Sequence, residues 1–600
     1  MKQKKSIRVP SILLIAALLL PLAGCAGSGP DPNPIDRADL IRTEMSDPPA
    51  EAAETPAPTL SADEAFAAID EDFFRYYLSG DAVLLHRLVK DPKAMGFDAK
   101  DMPDTLGDFS PEANKSWIVK CKQTKAELEK LDYSALSPAN QFAYDTFVQY
   151  LGQEIAYEDY YVYYEPLGMR SGVHTDLPFS FMSFDIKTET DAELYLTLLA
   201  DVPRYFGQVL EHQKARAEKD IYMTFPARDS VQAYTGAMTS IRVSENPMLL
   251  AFDRKVNDLP GLSDETKADL IERNRALVQG EWTSAFRSLR NDMWALPCRK
   301  VSPLCQRLDP MDEDEYFAPD PYVEYYELRL RELSGMDGSV AEIRGQLQDA
   351  LDILLKELED ALYSGPVRKR RDTFAAGTPD ETLGYLKELS QGFLPTLQAH
   401  TVELETEPLS RVTRRRFLLA ACIVPGIDDW TDNVVIFRNQ HDNKYPLLTM
   451  ARESYPGRLY QLNYQRSLPH LSLMQKTLPL TSYYEAWARF AEYLTAKHTA
   501  LYPQNQLLKD TLLGSISAIQ LALESIDVNY MGREGRHSYA NWRFINDPFR
   551  YMEEAFGIAN MFVLYDRVRQ TRGDDFDEAV FLKEFLDLGP SYFNLIEEQF

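Results

Sequence analysis

From Ser61 onward, apolar residues recur at the 3.6-residue spacing of amphipathic helices, and helix-start signals are frequent. Ser61-Ala62-Asp63-Glu64 has the spacing of a capping box, in which the two polar side chains satisfy free N–H groups of the first turn. Ser137-Pro138 reads as an N-cap followed by a first-turn proline. Thr190 to Glu193 predicts the start of a helix reaching about Lys219, Ser339 to Glu342 one ending near Gly365, and Thr378 to Glu381 another. Residues 481–500, 506–528, 548–571 and 576–588 carry the same period. Strand patterns are scarce, Val434 to Phe437 being the best, and no internal period suggests a helical-repeat solenoid. The pattern predicts a mainly α fold: one large helical body over residues 61–600 with few short strands. The polar, proline-bearing stretch 298–320 reads as a boundary or as a long loop of the same body.

The first sixty residues follow a different rule. Lys2, Lys4, Lys5 and Arg8 precede a short apolar run from Ile12 to Leu20, and Leu22-Ala23-Gly24-Cys25 ends it. The run is short for a membrane-spanning helix and reads as an export signal over residues 1–24. Its ending resembles a bacterial lipobox, which implies lipidation of Cys25 and attachment to the bilayer; the alternative is an ordinary signal peptide with a chance cysteine. Residues 25–60 hold seven prolines and seven acids against two arginines, too polar to offset the entropy of ordering, and read as a tether.

Charge narrows the partners. The chain carries 92 acidic and 64 basic residues, for a formal charge of −28, which becomes −32 once the signal and its four basic residues are removed. Phosphate backbones need basic surface, so no nucleic-acid partner is expected, and a body this acidic is not held at an anionic membrane by charge. The basic clusters Arg368–Arg371 and Arg414–Arg416 read as solvated faces or ion-pair partners. Of the exported cysteines, Cys121, Cys298, Cys305 and Cys422, none forms a CxxC pair; Cys298 and Cys305 are seven apart, and a bridge between them is left open.

The informative stretch is Thr449-Met-Ala-Arg452-Glu453-Ser-Tyr-Pro-Gly457-Arg458-Leu-Tyr-Gln461: an apolar approach, an acid flanked by arginines, a Pro-Gly break and a further helical run. Downstream, Tyr484-Glu485-Ala486-Trp487-Ala488 begins a helix that places Glu485, Arg489 and Glu492 at i, i+4 and i+7. Taken alone, both stretches are helix faces laced with ion pairs.

Together they resemble the bacterial family catalogued as domain of unknown function 885, whose motif runs His-Glu-x-Tyr-Pro-Gly-His, then x-x-Gln, and later Glu-Gly-Trp-Ala. Phe73 to Tyr77 through Leu85 to Leu88 and Asp91-Pro92, Tyr164 to Gly168 with Ser171 to Val173 and Leu177-Pro178, Val424 to Asp429 with Asn433-Val434, Asp527 to Gly532, and Phe576 to Phe593 are similar to its other blocks, in the same order. The resemblance implies a helical zinc-peptidase-like body in which two histidines and the later glutamate hold the metal and the motif glutamate is the general base. On that pattern Glu453 keeps the base position and Glu485 the third ligand position, with Asn529 and Tyr530 in a binding block. Arg452 and Arg458 stand where the histidines belong, and a guanidinium has only donors and cannot ligate zinc. Ala486, Arg533, Glu554, Ala555 and Leu586 are further departures.

Two arginines supply the charge of the missing ion beside two retained carboxylates. They are therefore expected to serve as counter-charge, with no metal and no cofactor, or to face a cleft and hold an anionic ligand such as a peptide C-terminus. No two of His86, His174, His212, His400, His441, His470, His498 and His537 lie at i, i+3 or i+4; His441, His470 and His537 lie near the motif in sequence and could gather there only by folding. No Gly-x-Ser-x-Gly elbow or phosphate loop appears. The expected function is non-catalytic: peptide or protein binding, or a scaffold. A working hydrolase with a metal-free or non-standard site is the alternative. A solute-binding lipoprotein would have the anchor, but its usual α/β lobes need more strands than the pattern offers.

Overall fold

The computed structural model describes residues 60–98, 102–169, 171–299, 321–363, 377–405, 420–437, 446–501, 504–531, 544 and 546–600. The signal, Cys25 and the tether, the stretch 300–320 with Cys305, both basic clusters, His441, Arg533 and His537 lie outside the described residues.

Helix α1 (Ala62–Leu78) starts at the Ser61–Glu64 capping box, with both reciprocal bonds formed. It packs with α2 (Ala82–Leu88), α3 (Pro111–Leu128) and α4 (Pro138–Ala156). Ser137 caps α4 without a side-chain bond of its own; its hydroxyl instead donates to Asp63. A second group comprises α5 (Val173–Met182), α6 (Glu189–Glu218), α7 (Phe225–Met238), α8 (Pro247–Asp258), α9 (Asp264–Leu277) and α10 (Thr283–Trp294). The capping box of α6 is Thr188–Asp191, two residues before the expected start, because Asp191 reaches back to the Thr188 N–H.

The third group surrounds the motif. After α11 (Pro321–Ser334), α12 (Val340–Tyr363) and α13 (Pro379–Ser390), the chain forms β1 (Thr401–Glu405), β2 (Ala420–Cys422) and β3 (Asp432–Phe437). These make one three-stranded sheet in the order β1-β3-β2, with β1 parallel and β2 antiparallel to β3. There follow α14 (Pro446–Glu453), α15 (Arg458–Ser467), α16 (Leu473–Thr477), α17 (Thr481–His498), α18 (Gln504–Asn529), α19 (Met552–Arg572), α20 (Glu578–Leu588) and α21 (Phe593–Glu597). The fold is mainly α.

Residues from Phe66 to Ile596 join one continuous apolar core. Helix α18 is long and apolar enough to cross a membrane, yet it packs against α12, α17 and α19 as a core helix does. Helices α17 and α19 approach closely at Gly557. A Cβ there would lie 2.7 Å from the Ala486 N and 2.9 Å from the Glu485 Cβ, so only glycine lets the backbones meet.

Candidate functional site: a buried arginine–glutamate network

The Pro-Gly break is what brings the two arginines onto one site. Helix α14 ends at Glu453, the Gly457 N–H donates to the Ala451 carbonyl at 2.9 Å, and α15 then starts with Arg458 turned back toward Glu453. A Cβ on Gly457 would sit 2.1 Å from the Arg452 carbonyl, so this return is closed to other residues. The Trp487 indole donates to the Pro456 carbonyl at 2.9 Å, fixing the break against α17 and bringing Glu485 alongside.

Arg458 is the centre. Its side chain is 1% exposed; Nη2 donates to Glu485 Oε1 at 2.5 Å and Nε lies 3.4 Å from Glu453 Oε2. Arg452 Nε donates to Glu453 Oε1 at 2.8 Å, and its Nη1 lies 3.5 Å from Glu492 Oε1. Arg489, one turn beyond Glu485, donates to Glu492 at 3.0 Å, pairs with Glu554 at 3.0 Å and lies 3.9 Å from Glu485 Oε2. Three guanidiniums thus interleave with four carboxylates drawn from α14, α15, α17 and α19. Burial pushes the Glu485 carboxyl up, but Arg458, Arg489 and Arg452 outweigh it and hold the group below the ordinary glutamate range. Burial works against the Arg458 charge, and Glu485 and Glu453 more than restore it. Cys422 on β2 packs beside the pair, its thiol pushed up by burial and by Glu453.

These residues do not make a zinc site. Two of the three positions that the resemblance assigns to ligands carry guanidiniums, and Glu485 Oε1 is taken by one of them. Among the described residues no group of three or more His, Cys, Asp and Glu side chains is arranged to hold a metal. Three of the described histidines have other partners: His470 meets the Asp587 carbonyl, His498 meets Glu578, and His400 meets the hydroxyl of Tyr455 in the Pro-Gly break. Asn529 donates to Ser525 and to the Phe544 carbonyl, while Tyr530 donates to Glu327 at 2.6 Å and stacks on Tyr326. Neither contacts the charge network in any of these bonds: Tyr530 faces α11, and Asn529 ties the end of α18 to the backbone at Phe544.

Sequence reasoning had Arg489 and Glu492 on the face of Glu485 from their spacing alone, and the structure adds them to the network. Glu554 was visible only as a departure from a pattern. Its role emerges through space, because Gly557 draws the first turn of α19 onto α17.

The profile of the family described as "Bacterial protein of unknown function (DUF885)" matches residues 92–510. The chain belongs to this family. No curated protein matches the sequence. Among solved structures, the fold is similar to that of a "putative lipoprotein" from Colwellia psychrerythraea, with TM-score 0.72 and 16% identity over 90% of this chain and 98% of that one. A "putative lipoprotein of unknown function" from Shewanella oneidensis aligns with TM-score 0.48 and 13% identity over 90% of this chain and 100% of that one.

Two blocks of the DUF885 resemblance, far apart in sequence, meet in the fold. The Ile427 N–H donates to the Leu88 carbonyl at 2.7 Å, and the Asp428 carboxylate accepts from the N–H groups of Lys90 and Asp91 at 2.7–2.9 Å. The C-terminal block closes on α4 and α11: Ser591 meets Thr146, and the Phe593 N–H donates to the Gly335 carbonyl.

Proposed function

We propose that this protein is an envelope lipoprotein, anchored through lipidated Cys25, whose DUF885 body binds a peptide or protein, or organises partners, without cleaving them. The observation that carries the reading is the engagement of Arg458 with Glu453 and Glu485. A general base must offer a lone pair to water, and a ligand carboxylate must offer one to a metal. Here Glu453 Oε1 accepts from Arg452 and its buried Oε2 lies 3.4 Å from Arg458 Nε in an ion pair without a hydrogen bond, while Glu485 Oε1 accepts from Arg458. The network acts as structural counter-charge, and with Arg458 enclosed it is not the surface that meets a ligand. The basic-then-apolar leader ending in Leu-Ala-Gly-Cys supports the anchor, as does the description of the Colwellia structure as a putative lipoprotein.

Incubation of the exported protein with a mixed peptide library tests the catalytic part: no cleavage is expected. Turnover abolished by Glu453→Gln would make the protein a hydrolase instead. Inductively coupled plasma mass spectrometry on protein purified without chelator is expected to find no stoichiometric zinc; one zinc per chain would sink the counter-charge reading. Cys25→Ser is expected to release the protein from membranes.

A further inference from the structure

A cavity of about 560 Å³ lies away from the charge network, between one face of the sheet and the ends of α2, α5 and α8. Its sheet wall is built from register pairs Thr401–Asp432, Glu403–Val434 and Glu405–Ile436, which place alternate side chains on that face. Its helical wall is pre-formed: Asp428 fastens the turn after β2 to the end of α2, and a Cβ on Gly426 would meet the Asp429 carbonyl at 2.5 Å. The size is that of sites for small organic ligands.

The charges in this groove are unevenly satisfied. Lys90 pairs with Asp185 at 3.0 Å, Arg254 pairs with Glu405 at 3.2 Å, and Lys255 donates to the Met182 and Phe184 carbonyls at 2.8 Å. Arg87 differs. It is half-buried, forms no ion pair among the described residues, and has one 3.5 Å contact to the Ser180 hydroxyl. Burial pushes its guanidinium down to about 10, opposed only by Asp81, whose carboxylate already accepts from the Val83 and Leu84 N–H groups. Toward solvent, the exposed Glu403 and Asp258 also lack ion pairs among the described residues. A sheltered cation with open donors and two free carboxylates at the rim call for a ligand with the opposite polarity, negative at its inner end and positive at its outer end.

We infer that this groove binds a small zwitterion, a free amino acid or short peptide, with its terminal carboxylate on Arg87 and its ammonium at Glu403 and Asp258. The inference gives the binding role proposed above a location and a ligand class. It rests on that reading only for the ligand's survival after binding.

The test uses the full chain in detergent and saturation-transfer NMR with an equimolar tripeptide pool. The pool with free termini is expected to bind, its C-terminal amides to lose binding, and its N-acetyl forms to weaken at least tenfold. Arg87→Met is expected to abolish binding while the unfolding temperature stays equal or rises, since an unpaired sheltered charge is removed; Arg87→Lys keeps weakened binding. The inference is overturned if the free pool gives no signal, if the amidated pool binds equally well, if Arg87→Met leaves binding intact, or if inorganic phosphate alone occupies the site. Bound peptides that are cleaved over hours would overturn the non-catalytic reading and leave the site standing.

Discussion

Replacing Arg458 with methionine removes the one cation among the described residues that pairs with both Glu453 and Glu485, while roughly keeping its volume. The two carboxylates are 2% and 7% exposed, so neither is rescued by water. Removing one partner of a buried ion pair typically costs about 3–5 kcal/mol, mostly the desolvation of the charge left behind. For a cooperatively unfolding body of about 540 residues, the unfolding entropy is about 1.1 kcal/mol per degree, which converts the loss to about 3–4 °C. Differential scanning calorimetry at two pH values checks the cause as well as the size. In the wild type, Glu485 is held below its ordinary value near 4.5, so its contribution is complete above that pH and is lost as pH falls beneath it. In the variant the largest offsetting cation is gone, and burial, which works against the charged form, raises the Glu485 carboxyl. The folded state then binds more protons than the unfolded chain as pH falls, and the deficit must be smaller at pH 5 than at pH 8. Adding Glu453→Gln and Glu485→Gln should recover most of the loss at pH 8. A shift under about 1 °C, or one equal at both pH values, would refute the counter-charge argument.

Placing histidine at both Arg452 and Arg458 is expected to produce a chain that retains about one zinc through purification, measured by mass spectrometry beside the unsubstituted protein. Gly557→Ala drives a methyl into the Glu485 backbone and is expected to cost about 1–3 kcal/mol in a denaturant melt, the usual scale for overpacking. Asp70 fastens Ser472 and Met474 at the start of α16, and burial raises its carboxyl to about 6 from 3.8. A raised acid loses folding stability as pH climbs between those values, here on the order of 3 kcal/mol. Asp70→Asn should therefore flatten the change in unfolding temperature between pH 4 and pH 7.5.

Helices with strong local signals were legible from the chain: the capping boxes at Ser61 and Thr378, and the runs now seen as α17, α18 and α20. Helix α19 starts at Met552, four residues later than its period suggested, after a turn that contains Pro548. Strand β1 does alternate, Val402 and Leu404 against Thr401, Glu403 and Glu405, but five residues are a faint signal. Strand β2, Ala420–Cys422, has no strand preference, and its pairing to β3 supplies what its sequence lacks. The site divides the same way. Glu485, Arg489 and Glu492 share a helix face that spacing reveals; Glu554, Cys422 and the meeting of Asp428 with Lys90 depend on tertiary contacts with no local signature.

The Asp428–Lys90 fastening spans 338 residues of chain, among the most expensive kinds of contact to close by diffusion. Helix α2 and its cationic last turn are synthesised long before the sheet that will cover them, so the groove is a late product of folding. Any ligand it holds then requires α2, α5, α8 and the sheet to have met, and occupancy reports that these distant segments have come together.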